Sequence, residues 1–382
     1  MRAISVTRTI PWRTAAAAAA LALTATACDA ATTDGPEGTQ GDASIEEGFT
    51  VGLLLPESQT TRYEAHDRPN FEEAVAEVCP NCEVNYQNAN EDTDQQQSQV
   101  DAMLTEGVDV IALGAVDAEG AGSMVNQAHE QGVPVVAYDR LAEGGADHYV
   151  SFQNERVGEV QAESLVEALE DEGTIDEGEV VVIHGSPTDP NVDALKAGAD
   201  PVLEENVEIG ASYDTPEWSP DEAQSQMEQS ITQIGAEDIV GVYSGNDGMA
   251  GGIIAAWQGT GVDEIPPVTG QDAELSAVQR IVAGEQYMSV YKAIADQARV
   301  AAEVSIALAT GEDIDEYDVA ESTTVTDAEG NEVESTLLEP IALTEDNIEE
   351  TVLADDFHSV EDICTDAYSD TDFCEEHADE LE

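Results

Sequence analysis

Positive charge is what this chain has least of. Over 382 residues, 11 Lys and Arg stand against 83 Asp and Glu, giving a formal net charge of −72. Arg2, Arg8 and Arg13 fall within the first 27 residues, which hold no acid, so only eight cations remain for everything downstream. A field of that sign repels phosphate backbones and anionic headgroups and excludes nucleic acid as a partner. Acid spread along the whole chain, rather than gathered into one tail, reads as a halophilic surface; it bears on solubility, not on activity. Histidine is also sparse. The six, at positions 66, 129, 148, 184, 358 and 377, show no metal-ligand spacing, and nothing resembles a nucleophile elbow or a phosphate loop. No metal, cofactor or acyl-transfer chemistry is expected. A carboxylate pair could serve a glycosidase, but that needs one acid with a raised pKa, and Asp139 beside Arg140 is held ionised. The expectation is a binding protein, not an enzyme.

Long apolar runs are scarce too. The stretch "TAAAAAALALTA" is too short for a stable bilayer span; it follows the basic opening "MRAISVTRTIPWR" and ends in small residues before Cys28. Residues 1–27 therefore read as an export signal. Two cleavage patterns compete: Ala25-Thr26-Ala27 suits ordinary signal cleavage, and "TATAC" resembles a lipobox whose Cys28 becomes the lipidated first residue. Of five cysteines, Cys79 and Cys82 ("CPNC") and Cys364 and Cys374 form close pairs, read as structural disulfides, and Cys28 is left over. A lipid anchor at Cys28 explains the odd thiol and places the protein on the outer face of the membrane. "CPNC" follows a helix pattern and precedes a strand pattern, away from the strand-to-helix turn where a redox thiol gains from the helix dipole.

Residues 28–48, rich in Gly, Thr and acid, read as a flexible tether. Then "FTVGLLLP" (49–56) opens an alternation of apolar runs and helical stripes. Strands are expected near 83–88, 108–115, 133–139, 148–152, 179–185, 207–213, 238–244 and 266–270. The helices between them are expected near 67–79, 93–107, 118–131, 154–171, 190–205, 220–235 and 247–259. Strands alternating with helices make an α/β fold with parallel sheets, here two similar Rossmann-like units joined by short crossings that can hinge.

Ligands of open α/β sheets bind beyond the carboxyl ends of the strands. Those ends read "AYDR", "SFQN", "HGSPTDPN", "SGND" and "GQDAE", each polar directly after an apolar run. Arg62, Arg140 and Lys292 facing Asp139, Asp189 and Asp272 would cancel in charge. With Asn154, Asn191 and Asn246 added, the group suits a neutral ligand covered in hydroxyls, and Trp218 offers a plate for the C–H face of a sugar ring. Each residue also has a plainer reading: a strand-end salt bridge for Asp139 and Arg140, turn residues for Asp189 and Asn191, a helix cap for Asp247, a core aromatic for Trp218.

The stretches "PESQTTRYEAHD", "VPVVAYDRLAE", "SFQNERVGEVQAESL", "GSPTDPNV", "GNDGMAGG", "GQDAELSAVQRIVAGEQY" and "VYKAIADQA" resemble, in order from about residue 50 to 358, the xylose-binding and multiple-sugar-binding periplasmic proteins of ABC transporters. The resemblance implies a type I periplasmic binding protein fold with three chain crossings. The first lobe would comprise 49–153 plus about 292–325, the second 154–291 plus about 326–355, with an acidic, disulfide-bearing tail over 356–382. It further implies a monomer that closes over a monosaccharide, xylose first and glucose or galactose next, and delivers it to a permease or, alternatively, presents its closed form to a membrane receptor kinase. Ligand-binding positions carry over to Arg62, Tyr63, Asp139, Arg140, Asn154, Asp189, Asn191, Trp218, Asn246, Asp272 and Lys292. Three departures stand out: Tyr63 where the family often has Trp, Gln153 where it has Asp, and Pro190 with Val192 around Asn191.

Overall fold

A computed structural model describes residues 43–262, 264–314, 317 and 322–381. The export signal, Cys28 and most of the expected tether lie outside the described residues. The last six tether positions belong instead to the body: Ala43 N–H donates to the Ala309 carbonyl, the Asn81 amide donates to the Glu46 carbonyl, and Ile45 packs on the core. Gly48, at φ +80°, lies where a Cβ would meet the Asn81 carbonyl at 2.1 Å.

The apolar run after Gly48 becomes β1 (Thr50–Leu55), buried from Val51 onward. Around it assemble β2 (Glu83–Asn88), β3 (Val110–Leu113), β4 (Val135–Tyr138) and β5 (His148–Phe152), all parallel. The connecting helices are α1 (Arg68–Val78), α2 (Thr93–Glu106) and α3 (Ala118–Glu130). The cap of α2 is Asp92, whose extended backbone lets its carboxylate accept from Gln95 N–H, and Thr93 is the first helical residue.

After β5 the chain crosses to a second lobe through α4 (Asn154–Glu172). There β6 (Glu179–His184) lies between β7 (Ile209–Asp214) and β8 (Ile239–Ser244), and Val268 makes a parallel bridge to Val242 of β8. The order β7-β6-β8-Val268 repeats the order β2-β1-β3-β4, so the two lobes share one winding. Helices α5 (Asn191–Asn206), α6 (Pro220–Ile234), α7 (Asp247–Gln258) and α8 (Leu275–Val282) connect the strands and lead to β9 (Ser289–Tyr291). Lys292 opens the second crossing, and α9 (Ile294–Thr310) packs back on α1 in the first lobe.

The third crossing falls later than expected. β10 (Thr323–Thr326) and β11 (Glu332–Leu338) both join the first sheet, in the order β10-β11-β5-β4-β3-β1-β2. The chain changes lobe only between β11 and β12 (Ile341–Leu343), which pairs with β9; it does not cross near 326. Residues 332–338 stay with the first lobe because Ser335–Leu338 pair residue by residue with Tyr149–Phe152. The acidic tail is not detached. Phe357, Val360, Ile363, Phe373 and the Cys364–Cys374 disulfide pack with α8 and β9, through α10 (Val360–Ile363) and α11 (Asp372–Glu376). Cys79 and Cys82 form the other disulfide.

Two glycines bring α4 and α5 into backbone contact. A Cβ at Gly158 would lie 2.0 Å from the Leu195 carbonyl oxygen, and one at Gly198 would lie 1.9 Å from that of Glu155. These helices begin at Asn154 and Asn191, so their spacing sets the distance between two candidate site residues. Gly198→Ala forces the pair apart and is expected to lower stability by roughly 1–3 kcal/mol, the usual range for overpacking. Urea denaturation with an unchanged midpoint would show that the helices spread at no cost.

Candidate functional site

Every strand of the two main sheets except β2, β3, β10 and β11 delivers a polar residue to one place. Arg62 and Tyr63 follow β1, on a π-helical turn (Tyr63–Asp67) that leads into α1. Asp139 and Arg140 follow β4, Asn154 follows β5, and Asp189 and Asn191 follow β6. Trp218 follows β7, Asn246 follows β8, and Asp272 and Lys292 come from the loops on either side of α8 and β9. All eleven line one cavity with about 330 Å³ of empty space, together with Thr60, Leu195 and Gln271. A larger groove of about 1630 Å³ runs alongside, past Tyr149, Phe152 and Val202, and shares Asn154 and Asn191; it gathers no comparable set of charges. Gln153 lines that groove and not the cavity, so the departure at this position does not touch the candidate site.

Asp139 is the most constrained residue in the set. Its backbone is left-handed at φ +63°, a conformation costing a non-glycine residue about 1–2 kcal/mol. Its carbonyl accepts from the Tyr149 hydroxyl (3.0 Å), the Ser151 hydroxyl (2.7 Å) and the Asn191 amide (3.1 Å), which offsets that strain. Its carboxylate accepts from Arg62 Nη1 (3.2 Å), the Tyr63 hydroxyl (2.8 Å) and Gln297 Nε2 (3.3 Å). Burial alone would favour the neutral acid, yet Arg62, Lys292, the Tyr63 donor and Arg140 together hold the carboxyl below the usual carboxylate range. Asp139 is therefore ionised and oriented.

Arg62 is fixed in turn by Asp67. Its Nε and Nη2 donate to the two carboxylate oxygens at 2.9 and 2.7 Å, Nη2 also donates to Gln297 Oε1 at 2.7 Å, and Tyr138 donates its hydroxyl to Asp67. Nη1 remains to face Asp139 and, across the lobes, Asp272 at 3.6 Å. Lys292 Nζ lies 3.0 Å from Asp272 Oδ1 and 5.4 Å from the centre of the Phe152 ring. Asp272 and Ala273 are both at positive φ.

Arg140 spans the lobes. Its Nε lies 2.8 Å from Asp189 Oδ2, while Glu57 and Glu91 stand 3.7 and 3.8 Å from its other nitrogens. Burial pushes the Asp189 carboxyl up although Arg140 pulls it down; burial likewise raises Glu57 and takes Glu91 up to about 7. Asp189 also accepts from Asn191 N–H (2.8 Å) and Trp218 Nε1 (3.1 Å). The indole lies flat against Gly185 and Gly245, where a Cβ would come within 2.1 and 3.2 Å of it, so Trp218 is both a buried aromatic and a wall of the cavity. The cap of α7 is Asn246, through Met249 N–H, and not Asp247. Asp247 is buried behind it, accepts from Ser289 and Gln286, and is pushed up to about 8 by burial and by Glu274.

Three polar atoms of cavity-lining residues have no aligned hydrogen-bond partner: Arg140 Nε, Gln271 Oε1 and Asp272 Oδ1. For Arg140 and Asp272 the neighbouring charge is close but off-axis. Buried polar atoms are nearly always paired, so these three, one donor and two acceptors, are exceptions gathered at the cavity. Among the described residues no cluster of His, Cys, Asp and Glu has the form of a metal site, and no helix is long and apolar enough to cross a membrane.

Known proteins resemble this chain over most of its length. A D-xylose-binding periplasmic protein from Escherichia coli is 32% identical over 314 residues, 81% of this chain and 90% of its own length. A D-xylose-binding periplasmic protein from Haemophilus influenzae is 33% identical over 82% of the chain and 91% of its own. Among solved structures, an ABC transporter solute-binding protein from Clostridium phytofermentans with bound β-D-glucose superposes with a TM-score of 0.75 at 26% identity, covering 82% of this chain and 99% of that one. The model of the periplasmic binding protein domain matches residues 51–313, which hold all eleven expected site residues, and with the repeated winding and three crossings this places the chain in the periplasmic binding protein family, with the type I fold.

Proposed function

We propose that the protein captures a neutral monosaccharide between its lobes and delivers it to an ABC permease, acting as a monomer held to the outer face of the membrane by a lipid on Cys28. The observation that carries this reading is the balance of the cavity: Arg62, Arg140 and Lys292 against Asp139, Asp189 and Asp272, drawn from both lobes, with three asparagines and an indole. A sugar hydroxyl donates and accepts at once, so a ring of hydroxyls matches alternating cations and carboxylates without adding charge. A sugar acid would upset that balance. The relatives named for D-xylose and the solved structure holding glucose favour xylose first and glucose next. Those relatives are named as binding proteins, and the ionised, fully paired state of Asp139 gives no proton donor for glycoside cleavage.

Calorimetry against xylose, glucose, galactose, arabinose and ribose tests the reading: saturable binding of at least one is expected, and heats of dilution for all five would reject it. Arg140→Lys keeps the charge and loses the planar fork that reaches Asp189. It should weaken the best sugar by roughly 1.5–3 kcal/mol, the range for a hydrogen bond to a charged group. Unchanged affinity would make Arg140 a purely structural cation. Asp139→Asn should cost stability as well as affinity, because three of the donors to its carboxylate belong to its own lobe. For the anchor, a clickable palmitate analogue should label wild-type cells and not Cys28→Ser cells; equal labelling would refute it.

A further inference from the structure

Away from the cavity, one more set of side chains joins the lobes. His66 lies on the π-helical turn of the first lobe, three residues beyond Tyr63. Phe357 and His358 belong to the tail segment packed on the second lobe. The His66 imidazole stacks on the Phe357 ring with centroids 4.0 Å apart and planes 12° from parallel. His358 meets His66 edge-on at 5.5 Å and Phe357 at 4.7 Å, and Tyr291 closes the cluster against Phe357 at 5.4 Å. His358 Nε2 is 2.8 Å from the Ala273 carbonyl, which can only accept, so that nitrogen carries the proton. Ala273 and its neighbour Asp272 are the positive-φ pair at the cavity wall. The cluster thus bridges the lobes and supports the loop that presents Asp272.

We propose that His66, Phe357 and His358 form a latch that assembles only when the lobes close and loosens when the imidazoles take up protons, so that acid promotes opening and ligand release. Closing the stack leaves His66 half-buried beside a second imidazole. Burial first, then His358 and Arg62, disfavour a proton on His66, with only Asp67 opposing, and take it down to about 4. Burial also lowers His358, against the Ala273 carbonyl and Asp362. The other acids nearby are Asp272 and Glu274 in the supporting loop and Asp355, which accepts from the Tyr291 hydroxyl. A cation over a phenyl face gains less than it costs to desolvate two neighbouring imidazoliums.

The sign follows from proton counting. An opened latch exposes imidazoles that titrate near the ordinary value of about 6.5, so between there and about 4 the open form holds more protons, and falling pH favours opening. Buried Glu274 acts the other way. Its carboxyl is raised to about 7 by burial and by Asp272, and it accepts from Thr61 N–H across the lobes, so the neutral acid belongs to the closed form. Wild-type pH dependence therefore mixes both signs, and the informative quantity is the ratio of wild type to His66→Phe, which keeps a stacked ring and removes the titration.

The test has two arms. The affinity of the best sugar should match between wild type and His66→Phe at about pH 7.5, and the variant should bind about ten-fold more tightly at about pH 5.5. His358→Gln, which keeps an N–H for Ala273, should shift the low-pH value in the same direction. In ligand-free protein, Thr61→Cys with Glu274→Cys reports closure through the rate of trapping by a short bis-maleimide. The rate with His66 relative to the rate with His66→Phe should fall about ten-fold over the same range, because the reagent chemistry cancels in the ratio. A ratio independent of pH in either arm overturns the latch. If no sugar binds, the reading of the cavity fails, and the trapping ratio still decides the latch.

Discussion

The contact on which the closed form depends is the one between Arg140 of the first lobe and Asp189 of the second, 2.8 Å apart and almost wholly buried. A buried guanidinium is tolerable only if its charge is met, and the nearest carboxylates of its own lobe, Glu57 and Glu91, stand more than 3.5 Å away. Its close partner comes from the opposite lobe. On the other side of the cavity Arg62 is held by Asp67 and Asp139 of its own lobe, and it and Lys292 also converge on Asp272, 3.6 and 3.0 Å away. Two lobes that each carry part of a charge set have a reason to meet, and the charges that line the cavity between them give a polar ligand a reason to be enclosed.

Scarcity sharpens this. Of the eight cations downstream of residue 27, three line the cavity. The remaining five serve elsewhere: Arg68, Arg156, Lys196 and Arg299 pair with acids away from the cavity, and Arg280 donates to the Asp247 carbonyl and the Gln286 side chain. In a chain so acidic, a cation without a specific role would find a carboxylate almost anywhere on the surface, where such pairs contribute little. The supports around the three are correspondingly specific. Asp67 and Gln297 hold Arg62, the left-handed backbone at Asp139 is held by three donors, and the close approach of α4 to α5 at Gly158 and Gly198 fixes Asn154 against Asn191, 3.0 Å apart.

Much of this was legible in the chain because apolar runs followed at once by polar residues are a local signal; Tyr63 was reached only through the family resemblance. All eleven residues singled out line the cavity. What escaped lacks such a signal. Gln271 sits uncharged beside Asp272, Leu195 reads as one more apolar position of α5, and Thr60 is an ordinary loop residue. Gln297 reaches Asp139 across 158 positions from the middle of a helix stripe. The third crossing was misplaced because β10 and β11 lie at the sheet edge, where one face is wet and "TTVT" and "EVESTLL" show no continuous apolar run. Phe357 and His358 were hidden in an acidic tail whose composition suggested solvent, although its aromatic residues and its disulfide pack against the second lobe.

Enclosure of a ligand by charges drawn from both lobes is the central claim, and lobe motion reports on it directly. Small-angle X-ray scattering of the mature chain, recorded without sugar and with a saturating concentration of the tightest-binding aldose, should show a smaller radius of gyration and a sharper distance distribution in the liganded protein. Superimposable profiles at full occupancy would contradict the claim.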